Sequence, residues 1–158
     1  MPEIPFTPES YSPFEKLLAG LVRSEVEFAV VGGVAVSLNG FVRATDDVDI
    51  LVQAAPENIR KLLDCLAGWG EGFARELKME DFVPQEGCIR VMEEFDLDIF
   101  TRMRGYSLEE FRPRLRHLET SGVRIPYLAP EDLILLKQES WREKDQVDVA
   151  AMRKILGR

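Results

Sequence analysis

The segment from Val30 to Val52 constrains the fold of this chain more than any other part of the sequence. One apolar run ends at Gly32-Gly33, and a second apolar run begins at Asp47-Val48-Asp49. Because side chains alternate along a strand, Asp47 and Asp49 would project from one face, roughly 7 Å apart, while Val48 points to the other face. The segment therefore predicts two strands, the first ending in a glycine turn and the second carrying a pair of carboxylates.

The electrostatic cost of that carboxylate pair depends on its burial. At about 6 Å and an effective dielectric of about 20, two carboxylates repel by roughly 3 kcal/mol, and in open water by well under 1 kcal/mol. A solvated pair needs no explanation, but a partly buried pair needs a proton or a cation. Mg²⁺ prefers oxygen ligands and is commonly held by one or two carboxylates together with substrate phosphates. A phosphate-binding element close to Asp47 and Asp49 would therefore favour a metal site.

The glycine pair is a candidate for that phosphate-binding element. Residues Glu27 to Val31 predict a short buried strand, and residues Val34 to Leu38 predict a helix directly after the glycines. Backbone N–H groups at such a turn are free to face an anion, and glycines allow the anion to come close. A lone glycine pair is more often only a tight turn, and it is the Asp-x-Asp strand downstream that favours the anion site.

Several spaced residues along this segment follow one order: Gly32-Gly33, Ala35, Gly40, Arg43, Thr45 and Asp47-Val48-Asp49. This order resembles the nucleotidyltransferase superfamily of the polymerase beta type, and looks most similar to its small bacterial branch of abortive-infection type toxins. The resemblance implies that Gly32 and Gly33 contact the phosphates of a nucleoside triphosphate (NTP) and that Asp47 and Asp49 hold metal ions. It also implies a third aspartate on a later strand.

That third carboxylate has two candidates in the alternating segment Glu94 to Phe100. The apolar residues of this segment fall on one strand face, and Asp96 and Asp98 fall on the other. Both fit the family pattern; Asp98, which precedes an apolar pair, is favoured, and Asp96 is its rival. Without the upstream motif, the segment would read as an edge strand with a solvated acidic face. Three converging carboxylates would hold two Mg²⁺ ions, or Mn²⁺ in their place, about 3.5 to 4 Å apart.

A helix beginning at Pro130 supplies a further candidate, Lys137. At 100° per residue, Lys137 falls in the middle of an apolar arc. The arc comprises Leu133, Ile134, Leu136 and Trp141. A lysine in this place can run its stem along apolar surface; by resemblance to the toxin-like branch, Lys137 instead reaches the triphosphate. The remaining charged residues of that pattern are Arg142, Lys144, Asp145 and Asp148. Helix capping and surface ion pairs are equally compatible roles for these residues.

The loop before the acidic strand carries two more candidates for nucleotide contacts. A loop arginine is usually solvated, but Arg43 lies between Gly40 and the acidic pair, where it would suit a clamp on phosphate or pyrophosphate. Thr45 belongs to the same motif, and the resemblance places it among the nucleotide-binding residues. We therefore expect Arg43 and Thr45, with Gly32-Gly33 and Lys137, to contact the NTP.

Composition limits the classes of partner. A chain of 158 residues, 46% of them hydrophobic, suits one domain over residues 1–158, with a catalytic core in residues 1–128 and helices in residues 129–158. A net charge of -8 argues against general adhesion to nucleic acid or to an anionic membrane. One histidine and two cysteines argue against a histidine-based triad and a disulfide framework. The lack of a signal-peptide layout and of an apolar run of about 20 residues predicts a cytoplasmic protein.

Together these patterns predict an α/β (α+β) fold, in which a small mixed sheet of about four to five strands is flanked by helices and the C-terminus is helical. The resemblance implies a minimal nucleotidyltransferase that moves a nucleoside monophosphate from an NTP such as ATP to an acceptor hydroxyl, with a link to a toxin and antitoxin pair. The acceptor stays open between a small hydroxyl compound, RNA and protein. Because the toxin-like relatives are longer, either the acceptor is small or a partner chain completes the pocket. The alternative is an inactive nucleotide-binding or antitoxin protein that keeps the fold; the third acid and Lys137 distinguish the two.

Overall fold

A six-stranded mixed sheet forms the centre of the protein in the computed structural model, which describes residues 6–7 and 10–157. Two short strands near the N-terminus, β1 (Phe6–Thr7) and β2 (Ser10–Tyr11), pair with each other outside this sheet. The strands of the main sheet are β3 (Phe28–Val31), β4 (Asp47–Val52), β5 (Cys88–Met92), β6 (Asp96–Phe100), β7 (Arg116–Thr120) and β8 (Val123–Tyr127). Their order across the sheet is β5-β6-β4-β3-β8-β7.

Six α-helices accompany the strands in the described part of the chain: α1 (Pro13–Arg23), α2 (Gly32–Leu38), α3 (Pro56–Ala67), α4 (Leu108–Phe111), α5 (Pro130–Lys137) and α6 (Glu143–Ile155). Helix α1 packs on β8 and contacts α3, whereas α2 packs on β3 and β4 and contacts α5, which in turn contacts α6. None of the described helices is both long and apolar enough to cross a membrane. The predicted α/β class with a helical C-terminus is therefore confirmed.

The sheet is larger than the predicted four to five strands because β7 was missed. The capping-box sequence Ser107-Leu108-Glu109-Glu110 predicts a helix that bears Phe111 and Leu115, but α4 ends at Phe111. A 3-10 turn follows, and β7 begins at Arg116. Pro113 lies in that turn, and a proline cannot donate the hydrogen bond that a continuing helix requires. Ser121 and Gly122 both have positive φ angles, as in a tight hairpin turn, so β7 folds back on β8.

The N-terminus of α1 is capped differently from the arrangement that the sequence predicts. The sequence Ser12-Pro13-Phe14-Glu15 predicts a reciprocal capping box, but only one half of it forms. The Ser12 hydroxyl accepts the Glu15 backbone N–H at 3.1 Å. The Glu15 carboxylate instead accepts hydrogen bonds from the Thr120 and Ser121 hydroxyls, at 2.6 and 3.0 Å. The buried acid therefore ties α1 to the β7–β8 hairpin.

Strand β4 lies at the centre of the sheet, and its register positions the acidic residues. It pairs antiparallel with β3, where Asp49 lies opposite Val31, and parallel with β6, where Asp49 lies opposite Asp98. Its apolar side chains from Val48 to Val52 are fully buried. A slip of one residue would exchange the face of Val48, Ile50 and Val52 with that of Asp47 and Asp49. Burial therefore fixes the register and with it the direction of the carboxylates.

Candidate active site

Three aspartates converge where β4 and β6 run side by side. One carboxylate oxygen from each of Asp47, Asp49 and Asp98 lies within 4.8 Å of the others, and we call these three residues the carboxylate cluster. Asp96 pairs with Asp47 in the strand register but is not part of this group. The side chain of Asp98 is 7% exposed and that of Asp96 is 32% exposed. Of the two rivals, the structure thus brings Asp98 to the predicted pair.

The cluster lies against the glycine turn because residue 32 has no side chain. Helix α2 begins at Gly32, whose φ angle of +68° is one that L side chains rarely adopt. A Cβ atom at this position would lie 2.0 Å from Asp49 Oδ2. The preceding residue, Val31, has no side-chain oxygen to cap the helix, so the first backbone N–H groups of α2 depend on other acceptors. The turn and the carboxylates therefore form one site.

The carboxylate cluster carries more negative charge than its surroundings neutralise. The pKa of Asp49 is raised from its ordinary 3.8 to about 7, mainly by burial and then by the negative charges of Asp47 and Asp98, whereas Lys137 acts to lower it. A group that holds its proton up to neutral pH in this setting is one whose ionised form needs an additional cation. The donor set, which consists only of carboxylate oxygens, suits a hard divalent cation such as Mg²⁺.

Arg90 lies directly over this cluster, and the sequence reasoning missed it. Its Nε donates to Asp98 Oδ1 at 2.7 Å and its Nη2 donates to Asp98 Oδ2 at 2.9 Å. The guanidinium also approaches Asp96 to 3.5 Å and Asp47 to 3.9 Å. Hydrogen bonding to Asp98 raises the pKa of Arg90 further. Residues Ile89 to Met92 and Phe95 to Phe100 predict two strands joined by a tight turn at Glu93-Glu94. This hairpin is the signal that could have found Arg90, because its register places residue 90 opposite residue 98.

A second group of charges, which we call the ion-pair cluster, consists of Arg43, Lys137, Asp145 and Asp148. Arg43 binds Asp148 through two hydrogen bonds, Nε to Oδ1 at 2.9 Å and Nη2 to Oδ2 at 2.8 Å. Lys137 Nζ lies 2.8 Å from Asp145 Oδ1 and 3.1 Å from Asp148 Oδ2. Asp148 is fully buried. Capping and surface ion pairs, the alternative roles considered for this aspartate, therefore do not describe it.

The predicted apolar arc around Lys137 is wrong at one end. Helix α5 ends at Lys137, so Trp141 lies beyond it, and Trp141 is 92% exposed. Lys137 is nevertheless turned inward, as its side chain is only 14% exposed. Its partners are aspartates of α6, which the sequence pattern named without indicating that they would be buried.

Thr45 and Arg43 each contact another residue of the predicted site. The Thr45 hydroxyl donates to Asp47 Oδ1 at 3.0 Å and lies 3.1 Å from the Asp47 carbonyl oxygen. Arg43 packs over the glycine turn, since a Cβ atom on Gly33 would lie 3.0 Å from Arg43 Nη2. In this arrangement Thr45 orients a carboxylate, and Arg43 brings positive charge to the start of α2.

These residues share one cavity of about 310 Å³. The predicted residues that line it are Gly32, Gly33, Arg43, Thr45, Asp47, Asp49, Asp98 and Lys137. The apolar residues of the lining are Phe100, Met103, Leu133 and Leu136. Arg90, Arg142, Lys144 and Asp145 complete the lining. A larger hollow of about 540 Å³ lies beside Phe28, at the other end of β3, and is lined by no residue of the carboxylate cluster.

Comparison with known protein families matches residues 15–155 to the family described as "Nucleotidyltransferase of unknown function (DUF6036)". The chain belongs to this family. The prediction of a nucleotidyltransferase is therefore confirmed at the level of the superfamily and of the enzyme class, while the abortive-infection branch is not specifically supported. Among curated proteins, none matches this nucleotidyltransferase significantly.

Solved structures with a similar fold are also nucleotidyltransferases. The lincosamide antibiotic adenylyltransferase LnuA in its lincomycin-bound form has a TM-score of 0.64 and 17% identity, covering 94% of this chain and 98% of that chain. The antibiotic-resistance factor ANT(2'')-Ia has a TM-score of 0.56 and 16% identity, covering 92% and 83%. A putative nucleotidyltransferase from Thermotoga maritima has a TM-score of 0.53 and 17% identity, covering 91% and 90%. At these identities the likeness establishes the fold.

Proposed function

We propose that this nucleotidyltransferase moves a nucleoside monophosphate from an NTP to a hydroxyl group of an acceptor, releasing pyrophosphate, and that the transfer depends on divalent metal. The observation that carries the proposal is the convergence of Asp47, Asp49 and Asp98 on the Gly32 turn, in a cavity that also contains cationic side chains. Mg²⁺ is the proposed cation, with Mn²⁺ as a substitute, because every donor of the cluster is a carboxylate oxygen.

Each residue of the cavity has a separate proposed role. Asp47, Asp49 and Asp98 would hold the metal, and Thr45 would orient Asp47 through its hydroxyl. When bound, the divalent cations supply positive charge that screens the phosphates and favours the ionised form of the acceptor hydroxyl. Gly32 and Gly33 would present backbone N–H groups to the triphosphate.

Positive charge from side chains would complete the phosphate site. Arg43 and Lys137 line the cavity while they bind the buried Asp148, which holds their charged groups in place before any nucleotide binds. Charged groups fixed in advance lose little free energy to reorganisation when charge develops on the transferring phosphoryl group. We therefore propose that residues 1–128 and 129–158 form one catalytic unit, in which β4 and β6 supply carboxylates and α5 supplies Lys137.

The acceptor is proposed to be a small compound with a hydroxyl group. LnuA binds lincomycin and ANT(2'')-Ia is known in complex with adenylyl-2''-tobramycin, and this chain covers 98% of the LnuA chain. This coverage supports a small-molecule acceptor, and a partner chain that completes the pocket stays a prediction. RNA and protein acceptors, and a link to a toxin and antitoxin pair, stay predictions.

The competing hypothesis was an inactive nucleotide-binding or regulatory protein with the same fold. The two hypotheses differ in whether a third metal-binding aspartate and Lys137 are in place. Asp98 joins the cluster and Lys137 lines the same cavity, so both elements that an active enzyme needs are present. This arrangement favours catalysis over the regulatory alternative.

The test is transfer of label from each of four NTPs, labelled at the α-phosphate, to a panel of small hydroxyl compounds, RNA and protein, with and without Mg²⁺. We expect labelling of a small compound only with Mg²⁺, and at least a hundredfold loss in Asp47→Asn. Asp46→Asn is the matched control, because Asp46 is adjacent, exposed and outside the cluster. Equal background labelling in wild type and Asp47→Asn would contradict the proposal and favour the regulatory alternative.

Binding can be tested without knowing the acceptor. A ligand present at a hundred times its dissociation constant stabilises a protein by roughly 2.7 kcal/mol. We expect a rise in the thermal midpoint when NTP and Mg²⁺ are added together, and its loss in Asp47→Asn. An unchanged midpoint with all four NTPs would contradict the proposed site.

A further inference from the structure

The position of Arg90 carries a consequence for how metal and nucleotide bind. Arg90 lies on β5 directly opposite Asp98, and the two N–H groups that it directs there bind both oxygens of the Asp98 carboxylate. Asp98 is itself nearly buried, so this pair is shielded from solvent on the aspartate side. Two parallel charge-assisted hydrogen bonds of this kind are among the strongest polar contacts in proteins.

Arg90 and a divalent cation would compete for the carboxylate cluster. The guanidinium lies within 3.9 Å of oxygens of Asp47, Asp96 and Asp98, which places its positive charge where the metal charge is needed. Two cations within a few ångströms of each other repel strongly when the surroundings are partly buried. A divalent cation held by Asp98 therefore requires Arg90 to move away or to bind a new anion.

The triphosphate of the nucleotide is the anion that the geometry offers to Arg90. The Arg90 side chain is 49% exposed and lines the same cavity as Gly32 and Gly33. A guanidinium forms the same two-pronged contact with phosphate as with carboxylate. Exchange of Asp98 for a phosphate group would keep Arg90 paired while releasing both Asp98 oxygens.

We propose that Arg90 is a positioning residue that excludes divalent cations from the carboxylate cluster until the phosphates of an NTP take over its guanidinium. The inference rests on the proposed function, since it assigns metal and nucleotide to the same cavity. Its consequence is coupling: metal binds weakly alone, each ligand raises the affinity of the other, and by linkage the factor is the same in both directions.

The first measurement is the affinity for Mn²⁺ alone at pH 7.5, determined by electron paramagnetic resonance of the free ion. We expect Arg90→Gln and Arg90→Lys each to bind Mn²⁺ at least about tenfold more tightly than wild type. Arg90→Lys keeps the charge but loses the two-pronged contact, so it separates competition from long-range repulsion. Arg124→Gln is the matched control, because Arg124 is an exposed arginine paired with Glu119 on the β7–β8 hairpin.

The second measurement is the coupling between Mn²⁺ and the α,β-methylene analogue of an NTP, corrected for metal bound by the free analogue. In wild type the analogue is expected to raise Mn²⁺ affinity at least about tenfold. In Arg90→Gln this factor should be at least about threefold smaller, and the remainder reflects direct contact between metal and phosphate. In ¹⁵N-labelled protein, the Arg90 Nε–H resonance, assigned by its loss in Arg90→Lys, should shift when analogue and Mg²⁺ are added. A structural role alone would leave this coupling unchanged.

Three outcomes would overturn the inference in distinguishable ways. Mn²⁺ affinity within twofold of wild type in both Arg90 variants, with Asp49→Asn abolishing binding in each, would remove competition while leaving the proposed function intact. Tighter binding in Arg90→Gln but not in Arg90→Lys would reduce Arg90 to a distant charge, again with the function intact. Failure of Mn²⁺ to bind any variant, even with the analogue, would contradict the proposed function itself.

Discussion

The carboxylate cluster lines the cavity together with Arg43, Lys137 and Asp145 of the ion-pair cluster, but the negative charge of the two clusters is balanced in different ways. In the ion-pair cluster, Asp145 and Asp148 bind two cations of the chain, Arg43 and Lys137, at 2.8 to 3.1 Å. Burial alone would raise the pKa of Asp145, but hydrogen bonds from Lys137 and Ser140 outweigh burial and lower it below its ordinary value. In the carboxylate cluster, the pKa of Asp49 rises to about 7.

The difference shows that burial of an acid does not by itself identify a metal site. Asp148 is fully buried, yet Arg43 and Lys137 already supply its counter-charge. Asp49 is less buried, but two further carboxylates lie close to it, and Arg90 binds Asp98 instead. The cluster whose charge the chain leaves uncompensated is therefore the one expected to bind an external cation.

The largest expected effect separates the two candidates for the third ligand. Asp98→Asn should lower kcat/KM for nucleotide transfer by about 10³-fold, equivalent to about 4 kcal/mol, because it removes one of three converging carboxylates. Asp96→Asn, the matched change two residues away, should cost less than about tenfold, because Asp96 stands outside the cluster. Rates with saturating Mg²⁺ decide between them, and equal losses in the two variants would remove the distinction.

The next largest effect concerns the free energy of unfolding, to which the two clusters should contribute differently. Asp148→Asn should lower the free energy of unfolding by about 3 kcal/mol, because it leaves Arg43 and Lys137 without their shared buried partner. Asp49→Asn should leave stability unchanged or raise it at pH 8, because it removes repulsion within the carboxylate cluster. Urea unfolding of both variants measures the difference, and destabilisation of the same size in both would break the comparison.

The pH dependence of stability should differ between wild type and Asp49→Asn. The folded protein keeps the Asp49 proton up to about pH 7, whereas the unfolded chain releases it near 3.8. The unfolded state thus binds fewer protons in this window, and the free energy of unfolding falls as the pH rises from about 4 to 7. We expect a loss on the order of 2 kcal/mol in wild type that is absent from the variant.

Urea unfolding at pH 5, 6, 7 and 8 provides the measurement for this prediction. The pKa of His117 is lowered, mainly by burial, and this shift also makes the stability depend on pH. Because it contributes equally to both proteins, the difference between them isolates Asp49. Parallel pH profiles would show that the carboxylate cluster is not strained by its charge.

The smallest expected effect concerns the orientation of Asp47. Thr45→Val removes the hydroxyl that binds Asp47 Oδ1 and should weaken Mn²⁺ binding in the presence of nucleotide analogue about fivefold, equivalent to about 1 kcal/mol. Thr45→Ser keeps the hydroxyl and should stay within about twofold of wild type. If both variants bind Mn²⁺ as wild type does, Thr45 does not orient the ligand.

Short-range signals predicted much of the fold. The strands around Val30 and Asp98 lie within two residues of their predicted ends, because period-two alternation marks them locally. Strand β4 begins at Asp47 and helix α5 begins at Pro130, both as predicted. Strand β7 escaped because its residues alternate only weakly between apolar and polar. The Ser121-Gly122 turn that creates its hairpin was the available signal.

Side-chain contacts between distant segments of the chain were less predictable than the helices and strands that carry them. Asp148 and Arg43 are separated by 105 residues, and no local pattern indicates that they share two hydrogen bonds. The same holds for Trp141, which helical periodicity placed on the inner arc although the helix ends four residues earlier. Periodicity describes a helix only as far as the helix extends.

By itself the sequence determined the α/β class, the projection of Asp47 and Asp49 from one strand face, and the turn at Gly32-Gly33. The physical reason is that strand alternation and backbone conformation are properties of a few consecutive residues. Only the tertiary structure decided that Asp98 joins the pair, that Arg90 covers it and that Lys137 binds Asp148. These contacts depend on strand order and on the spatial distance between segments that are far apart in the chain. Burial of the apolar faces fixes both.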